Sequence, residues 1–250
     1  MRVSATVITR NEEKNIADCL TSLEFADEII VVDSGSTDRT EELCRLHPRV
    51  KFFHHPWQGY GEQKNVAASY ASNDWILNLD ADERVSDCLR RAVEAASGEL
   101  FSAARVCREN YFGRQWIRHC GWYPDYTFRL YDRRCCRFSS RKVHEALEHD
   151  GRVMTLEGNL LHFTYQDIAD YLRRMDSYST LAAEEMVSSG IRPGILSLTG
   201  KPFFTFFKMY IIKRGFLDGA AGFLLSVLYS VYTFCKYAKA RERLSQDIVT

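Results

Sequence analysis

The sequence predicts an α/β fold built on a parallel sheet, and three observations carry that reading. Short apolar, β-branched runs recur at residues 3–9 (VSATVIT), 28–33 (EIIVVD), 50–54 and 75–80 (WILNLD). Helical patterns separate them, and polar loops follow the first, second and fourth runs. Strand and helix alternating in this way is the signature of a sheet covered on both faces. Right-handed crossovers place the first three strands in the order 3, 2, 1. If the fourth joins the other side of strand 1, the order reverses there and a ligand crevice opens at the carboxyl ends.

The elements follow in order. VSATVIT reads as a buried strand, RNEEKN as a polar loop with Asn11 a helix N-cap, and Ile16, Cys19, Leu20 and Leu23 as one helical face. EIIVVD is a second buried strand ending in Asp33. Gly35 then permits a turn, and Ser36 or Thr37 caps a helix running to about Leu46. Val50–His54 is a third strand, and a helix from about Glu62 to Ala71 leads into WILNLD. That fourth strand ends abruptly in Asp80, Asp82 and Glu83. If the chain stays extended, Asp80 and Asp82 point to one side. At about 5.5 Å and an effective dielectric near 20 they repel by roughly 3 kcal/mol, which a divalent cation relieves. Alone, such a pair reads first as a solvated acidic turn. Its convergence with the loops Thr9–Glu13 and Asp33–Thr40 at the switch point favours a ligand site.

Composition bounds the function. A chain of 250 residues, 46% apolar, can build a sizeable core. Its 33 Lys and Arg balance 33 Asp and Glu, so no basic field marks nucleic acid as a partner. The eight cysteines form no CxxC pair, and no secretory signal peptide precedes them. They read as reduced thiols of a cytosolic protein, with spacing unsuited to zinc.

Ser86 caps a helix over 87–96, after which the regular alternation stops. Strand-like pieces at Ala103–Cys107 and Tyr126–Tyr131 lie among aromatic and basic loops, five aromatics falling between Tyr111 and Tyr123. These rings suit either a core or the apolar faces of a sugar. LLHFTY ends another strand, Gln166–Ser188 reads as an amphipathic helix, and Gly190 and Pro193 punctuate the chain. The expected division is therefore a domain over 1–190, its halves being 1–100 and 101–190, and a helical, aromatic and basic appendage over 191–250. Within the appendage Gly219–Cys235 is an uncharged run of 17 residues, at the lower limit for a membrane span. Cations on both sides give it no preferred orientation. Ser226, Ser230 and Thr233 share one helical face, which suggests a helix pair lying in a membrane interface or packed on the domain.

ITRNEE, VVDSGSTDRT and NLDADE, in this order and spacing, resemble the family 2 glycosyltransferases of GT-A fold. WYPDYTFRLY, RKVHEAL and LLHFTY are similar to the subgroup that includes lipopolysaccharide core β-glucosyltransferases. The resemblance implies a GT-A type, Rossmann-like mixed sheet with helices on both faces. It implies that Thr9, Arg10, Glu12 and Asp33 line the base and ribose of a nucleotide sugar, with Asp80 near the ribose or a metal-bound water. Asp82 would bind Mg²⁺ or Mn²⁺ bridging the donor diphosphate, and His162 would complete the metal shell. Glu145 would be the general base, with Asp125 its rival, and Arg129 and Arg141 would meet diphosphate or an anionic acceptor. His144 would orient a phosphate or the base. The expected activity is inverting transfer of a hexose, glucose from UDP-glucose, to a saccharide of the lipopolysaccharide inner core. The expected place is the inner face of the cytoplasmic membrane, with peripheral attachment and a saccharide or lipid-linked saccharide acceptor. Two rivals share the front motifs: a polyprenyl-phosphate sugar transferase and a catalytically inactive nucleotide-sugar-binding protein.

Overall fold

The fold is that of a computed structural model, which describes residues 1–139 and 146–246. The alternation expected from the sequence is present as β1 (Val3–Thr9), α1 (Ile16–Ser22), β2 (Glu28–Asp33), α2 (Thr40–Leu46), β3 (Val50–His54), α3 (Tyr60–Ser69) and β4 (Trp75–Asp80). There follow β5 (Glu83–Val85), α4 (Asp87–Ala95), β6 (Ala103–Phe112), β7 (Gln115–Trp116), β8 (Asp125–Asp132), β9 (Cys136–Phe138), β10 (Leu147–His149) and β11 (Val153–Tyr165). The chain then becomes helical: α5 (Ile168–Ser188), α6 (Ile195–Phe207), a π-helical turn (Lys208–Ile212), a 3₁₀ turn (Gly215–Asp218) and α7 (Gly219–Gln246).

The main sheet runs β3-β2-β1-β4-β8-β6-β11-β5, with β7 paired to β6. Its first four strands are parallel in the expected order, and β4–β8, β6–β8 and β11–β5 are antiparallel. Alternation along the strands makes two cores. Ala5, Val7, Ile29, Val31, Leu77 and Leu79 face α1 and α4, whereas Ile8, Ile30, Val32 and Ile76 face Ala67 and Ala68 of α3.

Two compact units divide the chain: Met1–Arg108 with Asp125–His162, and Glu109–Pro124 with everything from Phe163 onward. The division expected at residue 190 does not coincide with this one. Phe112, Ile117, Cys120 and Tyr171 share a core with Met209, Leu225 and Leu228, so α5 and the 109–124 segment belong with the tail. The same core takes Trp122, while Trp116 and Tyr123 pack edge to face 5.3 Å apart nearer the surface. Of the early aromatics, Phe112 and Trp122 thus serve the core.

Local capping differs from expectation in two places. Asn11 is not a cap; its φ is 55°, a left-handed conformation that asparagine tolerates, and α1 starts at Ile16. Its side-chain oxygen instead accepts from Thr37 N at 2.7 Å while Asn11 N donates to Ser36 Oγ at 2.8 Å. Neither Ser36 nor Thr37 caps α2; Asp38 Oδ1 accepts from Thr40 N at 3.0 Å. Ser86 does cap α4, accepting from Leu89 N.

Candidate active site

The parallel registers bring three strand ends level: Thr9 stands opposite Asp33, and Ile8 opposite Asp80. The loops after β1 and β2 are laced to each other. Glu12 N donates to Thr40 Oγ1 at 2.8 Å, Glu13 N to Asp38 Oδ2 at 3.1 Å, and Arg39 N to Glu13 Oε2 at 3.2 Å. Asp33 is 1% exposed and accepts from Gly35 N and Ser36 N, folding its own loop. Glu12 holds Asn15 Nδ2 at 2.7 Å. Thr9 is buried with its hydroxyl in no hydrogen bond among the described residues, and Arg10 is exposed. Thr9, Asp33 and Asp80 are therefore brought together at the carboxyl ends of the parallel strands, and Arg10 and Glu12 to the loop that follows β1.

The acidic turn departs from an extended chain. β4 stops at Asp80, residues 81–82 form a turn, and β5 begins at Glu83. The two aspartates consequently meet different partners. Asp80 Oδ2 accepts from Arg129 Nη2 at 2.6 Å, and its Oδ1 lies 3.5 Å from Lys64 Nζ and makes no hydrogen bond among the described residues. Asp82 Oδ2 lies 3.5 Å from His162 Nε2, because the β5–β11 pairing sets His162 opposite Glu83. Residues 80 positions apart in sequence thus meet at one turn.

Beneath the turn runs a chain of paired charges, buried at Arg129 and Glu83 and half-buried at Asp80, Arg108 and Asp125. Arg129, 2% exposed, bridges Asp80 and Glu83 at 2.6 Å each. Glu83 Oε1 is 3.6 Å from Arg108 Nη1, whose Nη2 holds Asp125 Oδ2 at 2.8 Å. Asp80 N donates to Glu83 Oε2, and Arg84 Nη1 ties down the carbonyls of Ala81 and Glu83. Burial alone would raise the Asp80 carboxyl, but Arg129 and Lys64 outweigh it and hold the group well below the usual carboxylate range. Burial opposes the charged Arg129 guanidinium, and Asp80 and Glu83 more than offset that. Burial likewise opposes a charged His162, while the hydrogen bond and charge of Asp82 prevail and raise it above its ordinary value. Arg129 is therefore an internal clamp and not a surface ligand for phosphate, contrary to the sequence expectation.

Asp125 sits one guanidinium from Glu83. Glu145, with Arg141 and His144, lies outside the described residues. The sequence reading missed Lys64 and Arg108. Lys64 had a signal, since it shares a helix face with the small residues Ala67 and Ala68, three and four positions on. Arg108 had none, its burial depending on strand pairing far along the chain. Among the described residues no group of three or more His, Cys, Asp or Glu is placed to hold a metal. The eight cysteines are free, and burial pushes Cys44 up to about 12, away from thiolate chemistry.

The family model described as Glycosyl transferase family 2 matches residues 4–144, more than half of the chain. The chain belongs to glycosyl transferase family 2. Among relatives of this family 2 enzyme, "Lipopolysaccharide core biosynthesis glycosyltransferase LpsC" of Rhizobium meliloti (strain 1021) is 34% identical. That match covers 96% of this chain and 92% of the relative. Among solved structures, the mannosyltransferase PcManGT from Pyrobaculum calidifontis in complex with GDP-Man and Mn²⁺ matches with a TM-score of 0.54. It is 16% identical, over 96% of this chain and 86% of that one. TarS 1-349 from S. aureus in complex with UDP matches with a TM-score of 0.51 and 17% identity, over 99% and 92%. At those identities the likeness shows the fold, which is GT-A. The family 2 enzyme is accordingly a glycosyltransferase, with the acidic turn and its neighbouring loops as its candidate donor site.

Proposed function

We propose that the protein is an inverting, metal-dependent hexosyltransferase that moves glucose from UDP-glucose to a lipopolysaccharide inner-core saccharide, working at the inner face of the cytoplasmic membrane. The observation that carries the reading is the meeting of Asp82 and His162 at the end of β4, beside the loops of β1 and β2. The carboxylate oxygen suits Mg²⁺ or Mn²⁺, with remaining ligands commonly from substrate phosphates and water, and the softer imidazole nitrogen favours Mn²⁺ of the two. The relative's lipopolysaccharide core role supports the acceptor class.

In this reading Thr9, Arg10, Glu12 and Asp33 shape the nucleotide pocket, and Asp80, held by Arg129 and Lys64, braces the turn beside the ribose. Asp82 and His162 hold the cation. A divalent ion bound there supplies positive charge against the departing diphosphate. Glu145 accepts the proton of the acceptor hydroxyl, the hydroxyl oxygen attacks the anomeric carbon, and the bond from that carbon to the diphosphate oxygen breaks with inversion. Asp125 commits an oxygen to Arg108, which leaves Glu145 the stronger candidate base.

The test is a screen of nucleotide sugars for hydrolysis or transfer by the purified protein, with Mn²⁺ and with EDTA. UDP-glucose turnover that EDTA abolishes is expected. Turnover indifferent to EDTA would remove the metal from the reading, and transfer to a lipid phosphate with no saccharide acceptor would replace the acceptor.

A further inference from the structure

We propose that the unit containing α6 and α7 is a monotopic anchor, lying in the interface of an anionic bilayer along the exposed side of α6, the π and 3₁₀ turns and the start of α7. In this arrangement α7 does not cross the membrane. The inference deepens the membrane-face reading of the proposed function, but the attachment is measurable without it.

On α6, Leu196, Phe203 and Phe207 recur at seven and four positions, one helical face, and Leu196 and Phe203 are 81% and 71% exposed. The exposed surface continues through Ile212 and Leu217 in the two turns. Rings knit it into one patch: Phe206 lies 5.8 Å from Phe223 of α7, and Tyr210 lies 6.2 Å from Phe216 and 5.6 Å from Phe223. Monomeric soluble proteins rarely leave so many large apolar groups together in water.

Charge names the partner. From residue 191 to 235 the chain has five cations, Arg192, Lys201, Lys208, Lys213 and Arg214, and one acid, Asp218. That acid is 7% exposed and turned inward, accepting from Arg118 N, His119 N and the His119 ring. Lys208, Lys213 and Arg214 are exposed beside the apolar side chains. Apolar groups bordered by cations, with no acid facing out, fit a bilayer carrying negative headgroups.

The same unit argues against a span, although α7 is long and apolar enough to pass for one by composition. Its uncharged run of 17 residues covers about 26 Å as a helix, short of a hydrocarbon core of about 30 Å. Its polar face is already used: Ser226 and Thr233 are buried, Ser230 Oγ donates to Pro202 O at 2.9 Å, and Thr205 and Thr233 hydroxyls meet at 3.2 Å. Lys239 Nζ donates to Asp176 Oδ1 and Thr180 Oγ1 at 2.8 Å, and Arg243 pairs with Glu184 at 2.7 Å. Those partners lie on α5, whose exposed charges have no place in hydrocarbon.

The experiment is sedimentation of the full chain with vesicles of phosphatidylcholine alone or mixed with phosphatidylglycerol. Binding to the anionic vesicles is expected to be roughly tenfold stronger and to weaken with salt. Replacing Phe203→Ser with Phe207→Ser, or Lys208→Glu with Lys213→Glu, is expected to reduce it roughly tenfold with an unchanged thermal midpoint. A Phe207→Trp variant reads depth without disturbing the patch, its added emission being quenched by bromines near the ester end of the acyl chains and less by bromines near the chain terminus. Equal binding by wild type and variants, resistance to alkaline carbonate extraction, or a concentration-dependent dimer that replaces vesicle binding would each overturn the proposal. Donor hydrolysis assayed in solution on the same preparations separates a failed anchor from a failed donor site.

Discussion

In the first compact unit the strand ends bury ionised groups, whereas in the second the α6 edge leaves apolar groups in water. Both invert the ordinary preference for apolar inside and charged outside. Around Asp80 the inversion is balanced internally: Arg129, Glu83, Arg108 and Asp125 alternate in sign, so the buried Arg129 and Glu83 and the half-buried groups beside them each have an opposite neighbour. Around Phe203 nothing in the described residues of its own unit covers the ring. Buried charge can thus be a structural device, here the frame of the turn whose Asp82 we propose as a ligand to a cation. Exposed apolar surface instead points outward to a partner.

The largest effect that sharpens this comparison is expected at Arg129. Among the described residues, replacing it by Met leaves Glu83 buried with only Arg108 at 3.6 Å and Asp80 with only Lys64 at 3.5 Å, which costs about 3 kcal/mol of stability. Urea unfolding measures it, and a loss below about 1 kcal/mol would mean the clamp is not the frame of the turn.

A smaller effect is expected at Glu28, the counterpart at the other end of the sheet. Burial would raise its carboxyl, but hydrogen bonds from Lys51, Ser4 and Ser72 prevail and bring it from 4.5 to about 2. Its folded value lies below its unfolded one. Its stabilisation is therefore present above about pH 4.5 and lost as pH falls toward 2. Glu28→Gln is expected to cost on the order of 2 kcal/mol near pH 7. The difference from wild type should shrink between pH 4.5 and 2, and a constant difference would assign the effect to packing.

What the sequence made legible was local. The four parallel strands, their order, the Ser86 cap and the convergence of three loops all follow from periodicity and handedness. The pairing of His162 with Asp82 was expected only as a shared metal role, since it depends on β11, far along the chain, pairing with β5 at one end of the sheet. The roles of Arg129 and Arg108 were hidden because a strand arginine reads as a solvent-facing cation until its neighbours are known. Asn11 misled for a related reason: asparagine caps helices and also tolerates the left-handed conformation, and its partner Thr37 lies in another loop.

We propose that Asp82, unlike the internally neutralised Asp80, is kept for a cation that travels with the nucleotide. Calorimetric titration of UDP into the protein, with Mn²⁺ and with EDTA, tests it most directly. Mn²⁺-dependent binding is expected in the wild type, and Asp82→Asn is expected to weaken it at least tenfold, roughly 1.4 kcal/mol. UDP binding equally well in EDTA, or equally well to Asp82→Asn with Mn²⁺, would contradict it.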